Sequence, residues 1–292
     1  GNAWNIEPEC YAGTPELPVC MATHCHADGP VASCTQLWQW RESRIELEYR
    51  LAAGWRHLEC RMRIDWRNPE YLLRLEIPSA LAAPEAEYAT QYGFRRYPTG
   101  DADSHDRARY EVAAQRWVRV EADGMDLVLA SDIKYGYSVK GAQLNLTLLR
   151  APVRPGPFIG RDDAGRRDEP GDAARYNDLG THDFGWALGV AAGDVAKAYD
   201  LAEWVNRELP ATPEGIATPG RWLESLPPEL GVSCVRPNFG GSGTLLRVYE
   251  RRGRTTSWQD MPAHARFTTP DGGTTVSTTA EFHPFEIKTL VL

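Results

Sequence analysis

Hydrophobic and polar residues alternate along much of the first half of the chain. Between Arg44 and Leu51 apolar residues occupy every second position, and charged residues fill the positions between them. A period of two places the apolar side chains on one face of an extended strand. Ala53 and Gly54 predict a turn after this strand, and Leu58–Asp65 predicts the return strand of a β-hairpin.

Further short strands are predicted at similar intervals, and Pro, Gly or Asp residues occupy most of the gaps. They are Tyr71–Ile77, Tyr88–Tyr92, Trp117–Glu121, Asp126–Ala130, Leu144–Leu149, Phe184–Val190, Val232–Val235, Thr244–Glu250 and Phe285–Leu292. Many short strands separated by turns are typical of β-sandwiches and not of alternating β and α units. The sequence therefore predicts an all-β fold.

One segment has the periodicity of a helix. From Val195 to Leu209 apolar residues recur at spacings of three and four, with Asp194 before them as a candidate N-cap and Pro210 after them. A soft boundary near residue 211 divides the chain into a large β domain at 1–210 and a small β-sandwich at 211–292. Residues 151–183, rich in Pro, Gly, Arg and Asp, predict a long loop in the large domain.

The charge and the composition of the chain exclude some classes of binding partner. The 292-residue chain carries a formal net charge of -8 and no long run of Lys and Arg, which indicates that it does not bind nucleic acid. No segment contains the roughly 20 apolar residues that a membrane helix needs. Six cysteines are too few for a disulfide scaffold, so we expect reduced thiols and a cytoplasmic location; one or two bridges in the N-terminal region stay open.

Several blocks of the sequence resemble segments of the α-mannosidases of glycoside hydrolase family 38, and they follow the order of that family. The blocks are Ala3–Pro8, Ile64–Trp66 with Leu72–Pro78, Glu87–Gly93, Arg96–Thr99, Ala108–Val112 with Gln115–Trp117, Asp132–Gly141 with Leu146–Pro152, and Pro284–Leu290. One short match is common by chance, whereas a series in register across nearly the whole chain is specific.

The resemblance implies a fold and an activity. The expected fold is a supersandwich of the galactose-mutarotase type followed by a smaller β-sandwich. The expected parent activity is hydrolysis of α-mannosides with retention, by a carboxylate nucleophile and a carboxylic acid about 5 Å apart. In the family these groups and a zinc ion lie in an N-terminal β/α barrel, and nothing in this sequence predicts such a barrel. We therefore expect no catalytic residue, metal or cofactor in this chain, and the barrel as its partner.

A short histidine motif offers an alternative metal site. If the segment around His24, His26 and Asp28 is extended, their side chains point to one face, and imidazole with carboxylate suits zinc. The family motif that it resembles continues to a Trp, whereas Gly29 and Pro30 follow here. We therefore interpret the segment as a polar surface strand without metal.

Arg150 is the candidate sugar-binding residue. It ends a predicted strand and opens the long loop, and the resemblance places an arginine at this strand end near the bound sugar. A guanidinium can donate to several hydroxyls in fixed geometry. Asp162 and Asp163 in the loop are further candidates. The alternative role is an arginine paired with a loop carboxylate.

Aromatic and glycine-rich segments have structural interpretations beside functional ones. Lys134–Tyr137 predicts a turn in which Gly136 takes a positive φ. Trp38, Trp40 and Trp66 are candidates for stacking on sugars, although packing in the core is the more common use. Phe239–Gly243 lacks the Lys of a phosphate-binding loop and predicts a hairpin turn.

Three hypotheses about function remain. The chain is a non-catalytic portion of an α-mannosidase, or a separate carbohydrate-binding module, or an independent all-β enzyme with a His and a Glu as acid and base. The last needs two such residues together in a concave face, and a fold alone does not fix a function.

Overall fold

The structure is a computed structural model that describes residues 6, 8–153, 176–206 and 223–292. Its strands form a large β-sandwich and, at the C-terminal end, a small one. The all-β prediction is confirmed. Besides the predicted helix, the described residues contain two one-turn helices that the pattern did not predict, α1 (Glu9–Ala12) and α2 (Ser104–Ala108).

The large sandwich packs a nine-stranded sheet on a four-stranded sheet, and paired neighbours are antiparallel. In spatial order the first contains β1 (Val19–Asp28), β2 (Val31–Trp40), β3 (Ser43–Ala52), β4 (His57–Trp66), β13 (Gly180–Gly189), β10 (Met125–Ser131), β9 (Trp117–Ala122), β6 (Glu85–Thr90) and β7 (Gly93–Pro98). The second contains β5 (Leu72–Pro78), β12 (Gln143–Arg150), β11 (Gly136–Lys140) and β8 (Val112–Ala113).

The alternation in the sequence sets the register of the predicted hairpin. Ile45 of β3 lies opposite Ile64 of β4, and Leu47 lies opposite Met62. All four side chains are buried between the two sheets, while the charged residues between them point to the other face. A shift of one residue would exchange the two faces, so the buried pairs fix the pairing.

The core of the large sandwich fills the space between its sheets. The nine-stranded sheet contributes buried side chains such as Ile64, Trp66 and Leu129, and the four-stranded sheet contributes Leu144 and Leu146. Burying each of these side chains contributes about 1.5–3 kcal/mol relative to leaving it in water. This apolar layer holds both sheets in one unit.

The predicted helix covers the opposite face of the nine-stranded sheet. Helix α3 spans Val195–Asn206, and residues 207–209 of the prediction lie outside the described part of the chain. The carboxylate of Asp194 accepts a hydrogen bond from the amide of Ala196 at 3.0 Å, as expected of an N-cap. Tyr199 and its helical neighbours pack on Trp117 and the small residues of β10 and β13.

The small sandwich has its own core. Its main sheet has the order β14 (Leu230–Pro237), β15 (Thr244–Glu250), β19 (Ile287–Val291) and β17 (Arg266–Thr268), and β16 (Thr256–Ser257) pairs with β18 (Glu281–Phe282). Trp258, Phe282 and Leu290 are fully buried in it. Residues 238–243 join β14 to β15, which confirms the predicted hairpin turn. The domain boundary near residue 211 lies outside the described residues and stays a prediction.

The N-terminal region contains a hairpin that was only partly predicted. Strands β1 and β2 form the edge of the nine-stranded sheet, and Gly29, with φ of +54°, lies in their turn. Cys25 and Cys34 face each other across this hairpin and form a disulfide. The expectation that the cysteines are reduced is therefore wrong for this pair, whereas the bridge left open for this region is present.

The long loop is shorter than predicted. Strand β13 starts at Gly180 and not at Phe184, because residues 180–183 pair with the end of β4. Their polar side chains gave no strand signal. Residues 154–175 of the predicted loop lie outside the described part of the chain.

A buried cluster of charges lies on the face of the sheet that α3 covers. The Arg119 side chain, 3% exposed, donates to Glu87 at 2.8 Å and to Asp126 at 3.0 Å. The Asp126 carboxylate also accepts the backbone amides of residues 191–193 at 2.7–3.0 Å. The arginine therefore joins three strands, and the aspartate joins them to the start of α3.

Replacing Arg119 tests this cluster. Arg119→Met leaves buried Asp126 without its cation and removes one of the two arginines that pair with Glu87, so we expect the free energy of unfolding in urea to fall by about 3–5 kcal/mol. Arg96→Met is the matched control, since Arg96 also pairs with Glu87 but has a 58% exposed side chain; its loss should cost at most about 1 kcal/mol. Equal effects of the two variants would contradict the role of burial.

The thiol of Cys60 provides a second test of the core. Cys60 is buried between the sheets, and burial, with a smaller contribution from Glu59, raises its pKa to about 12. We expect a thiol reagent at pH 8 to modify the exposed Cys10 and Cys20 and to reach Cys60 only after denaturant is added. Peptide mass spectrometry separates the sites, and rapid labelling of Cys60 in the folded protein would contradict the packing.

Candidate functional site

Arg150 lies at one end of the large sandwich. It is the last residue of β12 and pairs with Leu72, the first residue of β5. The next residue, Ala151, is fully buried, and its carbonyl accepts the amide of Glu70 at 2.7 Å. Arg150 is partly buried, and its pairing with Leu72, together with the hydrogen bond of Ala151, fixes its backbone at the strand end. We call this part of the molecule the Arg150 end.

Asp162 and Asp163 lie outside the described residues, so their place beside Arg150 stays a prediction. The described flanks of their segment do meet at the Arg150 end. Val153 forms a β-bridge with Tyr176, and the amide of Asn177 donates to the carbonyl of Pro152 at 3.0 Å. The two described flanks therefore lie side by side next to the end of β12.

An aromatic cluster supports the same end. Trp40 stacks on Trp66 with ring centroids 5.2 Å apart, and Tyr71 meets Trp40 edge to face at 4.9 Å. Trp66 is buried, and Trp38 and Trp40 pack against the core. All three tryptophans thus contribute to core packing, Trp66 as a fully buried side chain and Trp38 and Trp40 as partly buried ones.

The segment that precedes β1 is bound to this aromatic cluster through Glu16. The guanidinium of Arg41 lies 4.6 Å from the ring centroid of Tyr71 and pairs with Glu16 at 2.8 Å. Glu16 also accepts the indole N–H of Trp40 at 3.2 Å. Residues before β1 are therefore held against the Arg150 end.

The turn between β10 and β11 lies at the same end. Its backbone is fixed by Asp132, whose carboxylate accepts the amide of Gly185 at 2.7 Å. The Lys134 ammonium lies 4.3 Å from the ring centroid of Phe184, and burial lowers its pKa. Ile133 and Tyr135 are half-exposed. Apolar and cationic groups thus meet the solvent together here.

The turn predicted at Lys134–Tyr137 lies two residues earlier, at residues 132–135, because Gly136 and Tyr137 already belong to β11, and the reason given for its glycine is also wrong. Gly136 starts β11 and is not among the residues with a positive φ. A Cβ atom there would lie 2.6 Å from a carboxylate oxygen of Glu111. Close approach of Glu111, and not backbone conformation, favours glycine.

The histidine motif lies on the edge strand β1. His24, His26 and Asp28 alternate along it as predicted, and a ring nitrogen of His26 lies 3.2 Å from the hydroxyl of Ser33. Across the described part of the chain, no group of three or more His, Cys, Asp or Glu side chains is placed to hold a metal ion.

A charged cavity of about 820 Å³ separates the two sandwiches beside α3. Its walls include Arg119, which is satisfied by the buried cluster, and Arg252, which pairs with Asp194 at 2.6 Å. Phe94 and Phe285 meet at its edge with centroids 5.4 Å apart. Arg119 and Arg252 are both paired with carboxylates and have no charge left to offer a ligand. We therefore interpret the cavity as the junction of the two sandwiches.

Sequence reasoning missed the features that join distant segments. The charges around Arg119 come from three strands, and their spacing along the chain carries no signal. The disulfide did leave a signal, because Cys25 and Cys34 are equally distant from the turn between Asp28 and Val31. Cysteines placed symmetrically about a hairpin turn lie opposite each other when the strands pair without a shift.

Comparison with known proteins identifies the family. The sequence model of the glycosyl hydrolases family 38 C-terminal domain matches residues 1–158, which is more than half of the chain. The chain belongs to glycosyl hydrolase family 38.

Relatives in family 38 are much longer than this chain. Alpha-mannosidase 2C1 of Mus musculus is 33% identical over 168 residues, which are 58% of this chain and 14% of that protein. Alpha-mannosidase 2C1 of Homo sapiens is 30% identical over 220 residues, which are 72% of this chain and 19% of that protein. The chain therefore spans less than a fifth of the length of these relatives.

A solved structure shares the fold. The structure of an alpha-mannosidase from Enterococcus faecalis V583 superposes with a TM-score of 0.68 over 95% of this chain and 35% of that chain. The two sequences are 13% identical in this alignment. At this identity the likeness establishes the fold alone.

Proposed function

We propose that this family 38 chain is the C-terminal β-sandwich portion of a retaining α-mannosidase, in which it completes the wall of the sugar site without carrying the catalytic groups. The observation that supports this proposal most directly is the structure of the Arg150 end. There the end of a strand fixes an arginine close to exposed aromatic and cationic side chains. The names of the relatives support the substrate class.

Arg150 would bind the sugar and not cleave it. Its guanidinium has five N–H donors in one plane, so it can donate to two or more hydroxyls of a mannosyl residue at once. Pairing of β12 with β5 holds its backbone in place, which lowers the entropy lost on binding. Asp162 and Asp163 are proposed as acceptors for hydroxyls of the same sugar.

The catalytic groups are proposed to belong to a separate barrel of the parent protein. Retaining hydrolysis needs two carboxyl groups about 5 Å apart, one as nucleophile and one as acid. The described residues offer no cluster that fits the zinc expected in this family, and so no catalytic step is assigned to them. Tyr71, Ile133 and Tyr135 at the Arg150 end are proposed to pack against the barrel.

The helices and the cysteines bear on membrane contact and on the cellular compartment. No helix among the described residues is long and apolar enough to span a membrane. The cytoplasm stays the predicted compartment from the low cysteine count. The Cys25–Cys34 bridge weighs against it, because disulfides persist mainly in oxidising compartments.

The role of Arg150 can be tested in the full-length parent enzyme. Arg150→Ala removes charged hydrogen bonds to the sugar, so kcat/KM for an aryl α-mannoside should fall roughly 10- to 100-fold. Arg150→Lys keeps the charge without the planar donors and should recover part of the loss. Arg236→Ala, on the small sandwich, is the control. Unchanged kinetics in both Arg150 variants would remove the proposed contact.

The chain alone provides a complementary test. We expect no turnover of an aryl α-mannoside, with or without added zinc, because the proposal assigns the two acids and the zinc site to the barrel of the parent protein. Turnover that survives chelation and repurification would contradict the non-catalytic role and favour an independent enzyme.

A further inference from the structure

Three aromatic rings, one exposed and two partly buried, meet at the opposite end of β4 from Trp66. Trp55 stacks on His57 with centroids 4.8 Å apart and an interplanar angle of 17°. Trp204 of α3 meets Trp55 at 5.1 Å and 73°, and meets His57 at 5.4 Å. We call these three residues the Trp204 platform.

The platform is built on fixed backbone. His57 begins β4 and lies opposite Gly189 of β13. A Cβ atom at Gly189 would lie 2.9 Å from Cβ of His57 and 3.0 Å from a methyl carbon of Leu201, so glycine allows the helix and the imidazole to approach. The amide of Trp55 donates to Ala52 in the turn that follows β3. Sheet, turn and helix thus hold one ring each.

The exposed fraction of Trp204 is unusual for such a large apolar side chain. Trp204 is 46% exposed although it lies on the helix that covers the sheet, and Val190 beside Gly189 is also about half exposed. Tryptophan contributes more buried area than other side chains when it is covered. Trp204 is exposed and Trp55 beside it is partly buried, so an apolar patch with two rings nearly at right angles remains at the surface, and such a patch marks a candidate binding site.

The surroundings of the platform favour a neutral polyhydroxylated ligand. Glu59 and Arg61 alternate onto the same face of β4 as His57. Glu59 lies 3.2 Å from Arg61 and 3.6 Å from Arg50, and Glu48 lies opposite Arg61 across the paired strands, so two carboxylates and two guanidiniums leave this face without net charge while keeping donors and acceptors at the surface. A charged ligand gains little from such a surface, and a large apolar partner would cover ion pairs at a cost.

We infer that the Trp204 platform binds a pyranose ring of a neutral oligosaccharide, with the apolar C–H face of the sugar against the indoles. Only the choice of mannosides as first probes rests on the proposed function. His57 and Trp66 are the two ends of β4, so the platform lies about 30 Å from the Arg150 end. A disaccharide cannot reach both, and each site can therefore be tested without the other.

The imidazole of His57 makes the platform sensitive to acid. Burial lowers its pKa, and the opposing field of Glu59 is the smaller effect. An unfolded histidine takes up a proton near pH 6.5, whereas folded His57 takes it up only at lower pH. The unfolded state then binds more protons, so stability should fall as pH drops below about 6.5.

Urea unfolding at several pH values tests this dependence. Between pH 8 and pH 5 the unfolding midpoint of the unmodified chain should fall more steeply than that of His57→Gln, which cannot be protonated. Parallel profiles would show that His57 does not titrate at a lowered pKa.

Fluorine NMR tests binding directly. The full chain labelled with 5-fluorotryptophan reports each of its ten tryptophans, and Trp55→Phe and Trp204→Phe assign the two signals of the platform. Titration with methyl α-mannoside and α-mannobiose at millimolar concentrations should shift these two signals. Trp204→Ala should weaken binding at least about tenfold, as followed at Trp55. An unchanged urea midpoint shows that the variant is folded.

Two controls separate this site from the others. Phe239→Ala removes an aromatic ring that is 82% exposed on the small sandwich and should leave the titration unchanged. Arg150→Ala should do the same, whatever its effect on catalysis in the parent enzyme. Sugar-induced shifts lost in Arg150→Ala but kept in Trp204→Ala would overturn the platform and leave the proposed function standing. Absence of shifts with mannosides, glucosides and galactosides alike would also overturn it.

Discussion

The structure depends on the need to satisfy one buried carboxylate. Asp126 lies on the face of the nine-stranded sheet that α3 covers, where an unpaired charge would cost several kcal/mol. Arg119 neutralises it, and the amides of residues 191–193 occupy its remaining acceptor positions. These amides directly precede α3, so satisfying the charge also fixes where the helix begins. Asp194 then caps the helix and pairs with Arg252, which ties the small sandwich to the same point.

This arrangement determines the positions of the Trp204 platform and of the Arg150 end. With its first turn fixed, α3 must lie along β10 and β13, and its third turn brings Trp204 beside the first residue of β4. The other face of the same sheet packs on β5 and β12, and this packing places Arg150 at the far end. A change near Asp126 should therefore disturb the Trp204 platform before it disturbs the Arg150 end. The two regions share a sheet but not a set of contacts.

Local pattern predicted the parts of the fold that local physics determines. Alternation placed β3 and β4 because each strand has one buried and one solvated face, and Asp194 was recognisable as a cap from its position before an apolar stripe. The edge strand β1 has no buried face and gave only a weak signal, and β13 begins with polar residues whose partner is β4. Arg150 was found through resemblance to a family, since one arginine at a strand end is not distinctive by itself. The platform of Trp55, His57 and Trp204 was not predicted, because long-range pairing alone brings it together.

Because the Trp204 platform and the Arg150 end lie far apart, a sugar-processing protein would use them in different ways. A residue at the wall of a reaction site changes the rate when its contact strengthens in the transition state. A platform about 30 Å away touches no reacting atom, so it can act only by raising the local concentration of substrate. That effect is large for a polymer or a branched glycan long enough to span the distance, and it vanishes for a monosaccharide. Under the proposed function, one end of the sandwich would contact the reacting sugar and the other end would retain long substrates, because the rigid sheet between them keeps the two ends apart.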